Sequence, residues 1–413
     1  VIVLENNFNE KLREYARLTV RLGVNLQKGQ ELVLSCPVEC AYFGRMIAEE
    51  AYIAGAKEVI TIWNDELMTK LKYDFADSEV FKEFPNWAVE QRLMYARRGA
   101  CFVSIAASDP DLLRDVDPAR LRDASIASNT ALKEFYDYTM SNQCAWTVIS
   151  VPTERWAKKV FDKGDDSVSL LWDAILKSVR VGGGNAEKAW DEHVETLKRR
   201  YEFLNDKQFS YLHFKNSLGT DFKVGLPKNH IWAGGSDVTQ SGIPFIANMP
   251  TEEIFTAPDR NFAEGRVVSS MPLSYQGTLI ENFVLDFKNG EVVNYSAEKG
   301  YDSLKNMLES FDGAKRLGEV ALVQYDSPIS RMGIIFFNTL FDENASCHLA
   351  LGKAYPASIE NGTNMSEEEL ERHGLNNSLT HVDFMIGTPD LEITGYDEKD
   401  NPTPIFRNGN FVI

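Results

Sequence analysis

The sequence has no uninterrupted apolar stretch approaching the ~18 residues that a membrane-spanning helix needs. Its first residues, VIVLENNFNE, lack the charged start and apolar core of a signal peptide. No membrane partner is therefore expected. Clustered base is lacking too: the densest basic spot is Lys198, Arg199 and Arg200, in a chain of formal net charge −18 with 61 Asp and Glu against 43 Lys and Arg. Binding to a phosphate backbone relies on such clusters, so no nucleic-acid partner is expected. Cysteine is scarce. Cys36, Cys40, Cys101, Cys144 and Cys347 are scattered and form no CxxC pair, which argues against a zinc ribbon and a disulfide framework. These absences together predict a cytoplasmic protein in a reducing compartment. The run Gly182, Gly183, Gly184 lacks a preceding strand and a following Lys-Ser/Thr pair, and reads as a connection between helices rather than a phosphate loop.

What is present is a globular composition, with 413 residues of which 44% are hydrophobic and 25% charged. At roughly 150 residues per domain, that length predicts about two or three domains. Leu12, Tyr15, Ala16, Thr19 and Leu22 fall at helical spacing before Gly23. ELVLSC, CAYFGRMIAEEAYIAG and KEVITIW then read as strand, helix and strand, a βαβ unit with parallel pairing. ACFVSIAAS and CAWTVISVP continue the strands, and helices are expected over 165–180 and 186–204, the latter capped by Asn185. Residues 1–205 are thus expected to form an α/β domain with a parallel sheet.

After about residue 205 the hydrophobic period shifts to two. FSYLHFKNSLGTDFKVGL reads as a hairpin, and Asn289-Gly290 and Asn408-Gly409 each sit between alternating runs. Residues 206–413 are expected to form a β-rich, antiparallel α+β domain with a few inserted helices. One of these is SEEELERHG, with Ser366 as its N-cap, acids in the first turn and Gly374 beyond the end, which accounts for His373 without any functional role.

Several charged side chains stand in apolar surroundings. In LTHVDFMIG, 379–387, an extended chain puts His381 and Asp383 on one face and Val382, Phe384 and Ile386 on the other. His348 lies in DENASCHLALG, read as a short helix capped by Asp342 or Asn344 and ending at Gly352; a histidine so placed is ordinarily a core residue. Glu252 and Glu253 sit between Pro250 and Pro258, and Glu319 stands at the mouth of the strand-like run LGEVALVQYD. Buried carboxylates are costly unless paired or bound to a cation. An ion pair of Glu319 with Arg316, or plain solvation, is the structural alternative. His193 and His213 fit ordinary helix and strand positions, and His230 in PKNHIW is ambiguous. Two imidazoles with several carboxylates nonetheless form the ligand inventory of a hydrolytic site for one or two divalent metals.

The stretches NMPTEEIFTAPDR, RLGEVALVQYDSPIS, FFNTLFDENASCHLALGKAYP and LTHVDFMIG, with PLSYQGTLIENF and SAEKG, resemble the motif blocks of the M29 metallo-aminopeptidases, the aminopeptidase T, aminopeptidase S and PepS group. The resemblance spans the whole chain. It implies a dinuclear metal site in the second half, held by Glu253, Glu319, His348, His381 and Asp383. The choice of Glu253 over Glu252 comes from the resemblance. Tyr355 in GKAYP matches a tyrosine that the family keeps near its metals. The resemblance further implies two divalent ions per subunit (zinc, cobalt or manganese), peptides with a free N-terminus as substrates, a homodimer, and an enclosed cavity that the first half helps to cover. The expected chemistry is attack by a metal-activated water, with Glu319 or Glu253 handling its proton and Tyr355 stabilising the oxyanion. There is no HExxH, so the ligands come from separate elements. Two alternatives use the same residues: a metal-dependent amidase or dipeptidase, separated by stepwise cleavage of a longer peptide, and a metal- or peptide-binding protein without turnover.

Overall fold

The computed structural model describes residues 2–275 and 278–413, with side chains from Asn7 onward. Val1 of the amino-terminal reading, and Gln276 and Gly277 of the PLSYQGTLIENF block, lie outside the described residues. The chain forms two compact units, one of residues 1–193 with 236–250 and one of 194–235 with 251–413. The change of period near residue 205 falls at the end of the helix Ala186–Lys207, while the units part within that helix, at 193/194.

The first unit is a four-stranded parallel sheet. Strands β1 (Glu31–Pro37), β2 (Glu58–Asn64), β3 (Cys101–Ile105) and β4 (Trp146–Ile149) lie in the order β2-β1-β3-β4. Helix α1 (Ile2–Leu18) runs into a π turn, Thr19–Gly23, and α2 (Ala41–Ala54) joins β1 to β2. Gly55 closes α2 at φ 98°, a left-handed position that glycine adopts without a Cβ penalty. Asn185 caps the long helix α3 (Ala186–Lys207), its Oδ1 accepting the Lys188 N–H at 3.0 Å.

The second unit is antiparallel and β-rich. Its eight-stranded sheet contains the three expected hairpins, among them Tyr211–Lys215 with Asp221–Gly225 and Val284–Lys288 with Glu291–Ser296. A separate five-stranded sheet positions the candidate site. Its members are β5 (Ala233–Gly234), β6 (Ile254–Thr256), β7 (Leu317–Leu322), β8 (His348–Gly352) and β9 (His381–Met385), in the order β9-β8-β7-β6-β5. Phe384 and Ile386 are fully buried in the core on the back of β9, with Val382 packed beside them. Full burial of such side chains stabilises by roughly 1.5–3 kcal/mol each. A one-residue slip would turn that face to the front, so the core fixes which side His381 and Asp383 occupy.

One expectation fails. His348 does not lie on a short helix ending at Gly352: it opens β8, the strand between β7 and β9. The helix is upstream, at Thr339–Asp342, and its N-cap is Asn338, which accepts the Leu340 N–H at 3.1 Å; neither Asp342 nor Asn344 is the cap. The HLALG segment is buried throughout, so two flanking ladders override the helix propensity of Leu and Ala.

Candidate metal centre

Pairing across three strands assembles the site. On the front of the sheet Glu319 of β7 lies opposite Ala350 of β8, and Ala350 opposite Asp383 of β9. His348 is one step along β8, opposite Met385, and His381 faces Gly352. The middle strand therefore presents His, Ala and Gly to the front, and the two small residues leave room between the carboxylates on either side. Gly352 sits at φ 111° with a virtual Cβ only 2.0 Å from the Thr380 carbonyl, so a larger residue would push β9 away. Glu253 ends the loop before β6 and joins from the other side.

The distances converge on Glu319. One of its oxygens, Oε1, is 3.5 Å from His348 Nε2, and the other, Oε2, is 3.6 Å from His381 Nε2. His348 Nε2 is also 3.0 Å from Glu253 Oε2, and His381 Nε2 is 3.4 Å from Asp383 Oδ1. Two groups result, Glu253–Glu319–His348 and Glu319–His381–Asp383, each with one donor atom per residue within 4.8 Å of the others, and Glu319 is common to both. Either group could hold a metal ion.

Each imidazole is aimed by a main-chain carbonyl. His348 Nδ1 lies 3.1 Å from the Ser346 carbonyl and His381 Nδ1 lies 2.7 Å from that of Lys353. A carbonyl only accepts, so Nδ1 carries the proton and Nε2 is turned toward the carboxylates, the orientation that metal-ligating histidines use. Glu253 Oε2 is buried and, despite its closeness to His348, makes no hydrogen bond among the described residues. Atoms crowded at this range without hydrogen-bond geometry fit ligands converging on a cation.

Without a cation the charges strain one another. Burial lowers His348 and His381, but the carboxylates prevail: His348 is held well above its ordinary value by Glu253 and Glu319, and His381 is raised to about 9 chiefly by Asp383. Glu319 is raised by burial, against the pull of His348. Burial also acts upward on Asp383, yet His381 holds it below its usual range. Tyr355 caps the turn Pro356–Ser358 with its ring 5.1 Å from that of His381; burial and the neighbouring carboxylates push its phenol well above 10.

Glu343, and the part played by Asn344, escape the sequence reading. Glu343, in the 3-10 turn Glu343–Ala345, is pushed well up by burial and by the charges of Glu253, Asp383 and Glu319, so its carboxyl belongs to the same electrostatic cluster. Its neighbour Asn344 is fully buried and holds the Glu252 N–H at 2.6 Å. Glu252 itself acts on the guanidinium of Arg200 and is in neither metal-capable group. Arg316 pairs with Glu291 at 3.1 Å and not with Glu319. His230 is outside both groups as well: it is buried, and its Nδ1 donates to the Pro227 carbonyl at 2.9 Å.

Comparison with known proteins gives the family. The family described as thermophilic metalloprotease (M29) matches residues 8–411. The chain belongs to the M29 peptidase family. It is 46% identical to aminopeptidase AmpS of Bacillus subtilis (strain 168), over 98% of this chain and all of that one. Identity to aminopeptidase T of Thermus thermophilus is 38%, over 98% of this chain and 99% of the relative. The solved structure of wild-type AmpT from Thermus thermophilus superposes with a TM-score of 0.92, covering 98% of this chain and 100% of that chain. A 2,5-dihydroxypyridine dioxygenase from Pseudomonas putida KT2440 shares the fold alone, at TM-score 0.54 and 12% identity over 97% of this chain and 96% of that chain. As an M29 member the chain is a hydrolase of the metallopeptidase class. Among its described residues no helix is long and apolar enough to cross a membrane.

Proposed function

We propose that this M29 protein is a metal-dependent aminopeptidase that removes N-terminal residues from peptides, with two divalent ions held by Glu253, Glu319, His348, His381 and Asp383. The observation that carries the reading is the sharing of Glu319, whose two oxygens are directed at different imidazoles in two adjoining ligand groups. Glu343 is in neither metal-capable group, but its carboxyl shares the field of Glu253 and Glu319 and adds negative charge at the Glu253 end. Nitrogen and oxygen donors of this kind suit zinc, cobalt or manganese.

Divalent ions bound there would supply Lewis acidity and a water nucleophile at neutral pH. The chain's own residues do the rest. A glutamate, Glu319 or Glu253, receives the proton of the attacking water and passes it to the leaving amine. Tyr355 donates a hydrogen bond to the carbonyl oxygen as negative charge develops on it; a phenol held well above its usual range keeps the proton this requires. The hydrogen bonds from His348 and His381 to main-chain carbonyls keep both rings in place throughout.

The test is hydrolysis of aminoacyl anilides, each free or N-acetylated, before chelation, after it, and after zinc, cobalt or manganese is added back. The proposal expects turnover of the free-amine substrates alone, lost on chelation and restored by metal. Equal cleavage of the blocked substrates would favour a metal-dependent amidase, and metal binding without turnover a binding protein. Stepwise shortening of a longer peptide separates an aminopeptidase from a dipeptidase.

A further inference from the structure

Asn344 is fully buried, and a buried amide must satisfy both its ends. Its Oδ1 accepts the Glu252 backbone N–H at 2.6 Å, across 92 residues of sequence. Its Nδ2 donates to the Leu340 carbonyl at 2.8 Å and lies 3.5 Å from Glu343 Oε1. The peptide group it grips belongs to the residue immediately before Glu253, in the 251–253 segment that precedes strand β6. One side chain thus ties the segment that carries Glu253 to the turn that carries Glu343.

We propose that Asn344 is a positioning residue that fixes Glu253 and Glu343 relative to each other, and through them sets the affinity for the ion at Glu253–Glu319–His348 while leaving Glu319–His381–Asp383 intact. The inference rests on the metal-binding reading given above. Its physical basis is that a ligand on a loop holds an ion well only if the backbone beneath it cannot swing. The ligands of the second group are carried by strands β7 and β9, paired through β8, and need no such anchor.

The substitutions follow from the two hydrogen bonds. Asn344→Leu keeps the branched shape and deletes both. Asn205→Ala is the control: its amide also grips backbone, at Trp232 (2.9 and 2.7 Å), but touches neither ligand group.

The experiment is a zinc titration of the chelated full-length protein against a chromophoric competitor, with a melting curve for each variant. Asn344→Leu is expected to lose roughly 10–100-fold in one of two binding steps, the cost typical of outer-shell partners. Asn205→Ala should melt earlier yet keep both steps within about twofold. If Asn344→Leu does not fold, Asn344→Ser, too short to reach the Glu252 N–H, should show the same single-step loss. Unchanged affinities in the Leu or Ser variant would overturn the proposal, as would an equal loss in Asn205→Ala. A wild-type protein that fails to take up two zinc ions would instead bring down the metal reading itself.

Discussion

In the first unit the buried acid Glu31 is met by two cations, Lys57 at 2.8 Å and Arg98 at 3.6 Å. In the second unit Glu253, Glu319 and Asp383 face one another across the two imidazoles of His348 and His381. Glu31 therefore belongs to the fold, its partners being permanent side chains. Among the described residues these carboxylates are matched by the imidazoles of His348 and His381, groups that titrate, in two arrangements that could hold a metal ion. Burying like charges together costs stability. The comparison thus separates an acid that stabilises the protein from acids whose arrangement makes sense only when something binds.

Glu319→Gln should break the comparison most severely. Both ligand groups lose their shared member, so kcat/KM should fall by more than about a hundredfold, beyond the usual cost of losing an outer partner. The same change should leave a folded protein, because the pairing of β7 with β8 and the core behind it do not involve that carboxylate. Steady-state rates and melting curves of chelated and metal-loaded samples would check both halves.

Tyr355→Phe should lower kcat by about a hundredfold with metal content unchanged, since the phenol assists the carbonyl oxygen and is not itself one of the metal-capable residues. Kinetics paired with elemental analysis distinguishes this from loss of a ligand. Glu31→Gln is the counterpart in the first unit. It should cost about 1 kcal/mol in denaturant unfolding, because Lys57 and Arg98 are largely exposed and re-solvate, and it should leave kcat unaltered.

An effect confined to acid pH is expected at Asp342, which accepts the N–H groups of Phe336 and Asn338 at 2.7 and 3.1 Å yet is raised by burial to about 7. An unfolded chain would titrate it near ~3.9. Between those values the folded state holds the extra proton, so this residue's contribution to stability is full at low pH and is lost as pH rises from about 4 to about 7. Asp342→Asn should flatten that part of the stability profile by at most about 1.4 kcal/mol per pH unit. Chemical denaturation of both proteins across the window reads the difference.

How far the site was legible in the sequence depended on periodicity. His381 and Asp383 could be assigned to one face because Val382, Phe384 and Ile386 alternate with them and supply the core side. His348 could not, because β8 is buried throughout and alternates Leu349 and Leu351 with only His348, Ala350 and Gly352, a short run whose Leu and Ala equally favour a helix. The hairpins at Asn289-Gly290 and Asn408-Gly409 follow from local turn chemistry and form as expected. Glu343 and Asn344 lie in a short turn without a period, where acids and amides look like caps, and their partners are distant in sequence. The return of residues 236–250 to the first unit has the same origin, since nothing local encodes it.

The most direct test of the central claim is anomalous diffraction from crystals soaked in zinc. Two peaks roughly 3.5–4 Å apart, one on each side of the Glu319 carboxylate, are the predicted result. A single peak there, or zinc bound only elsewhere, would contradict the account.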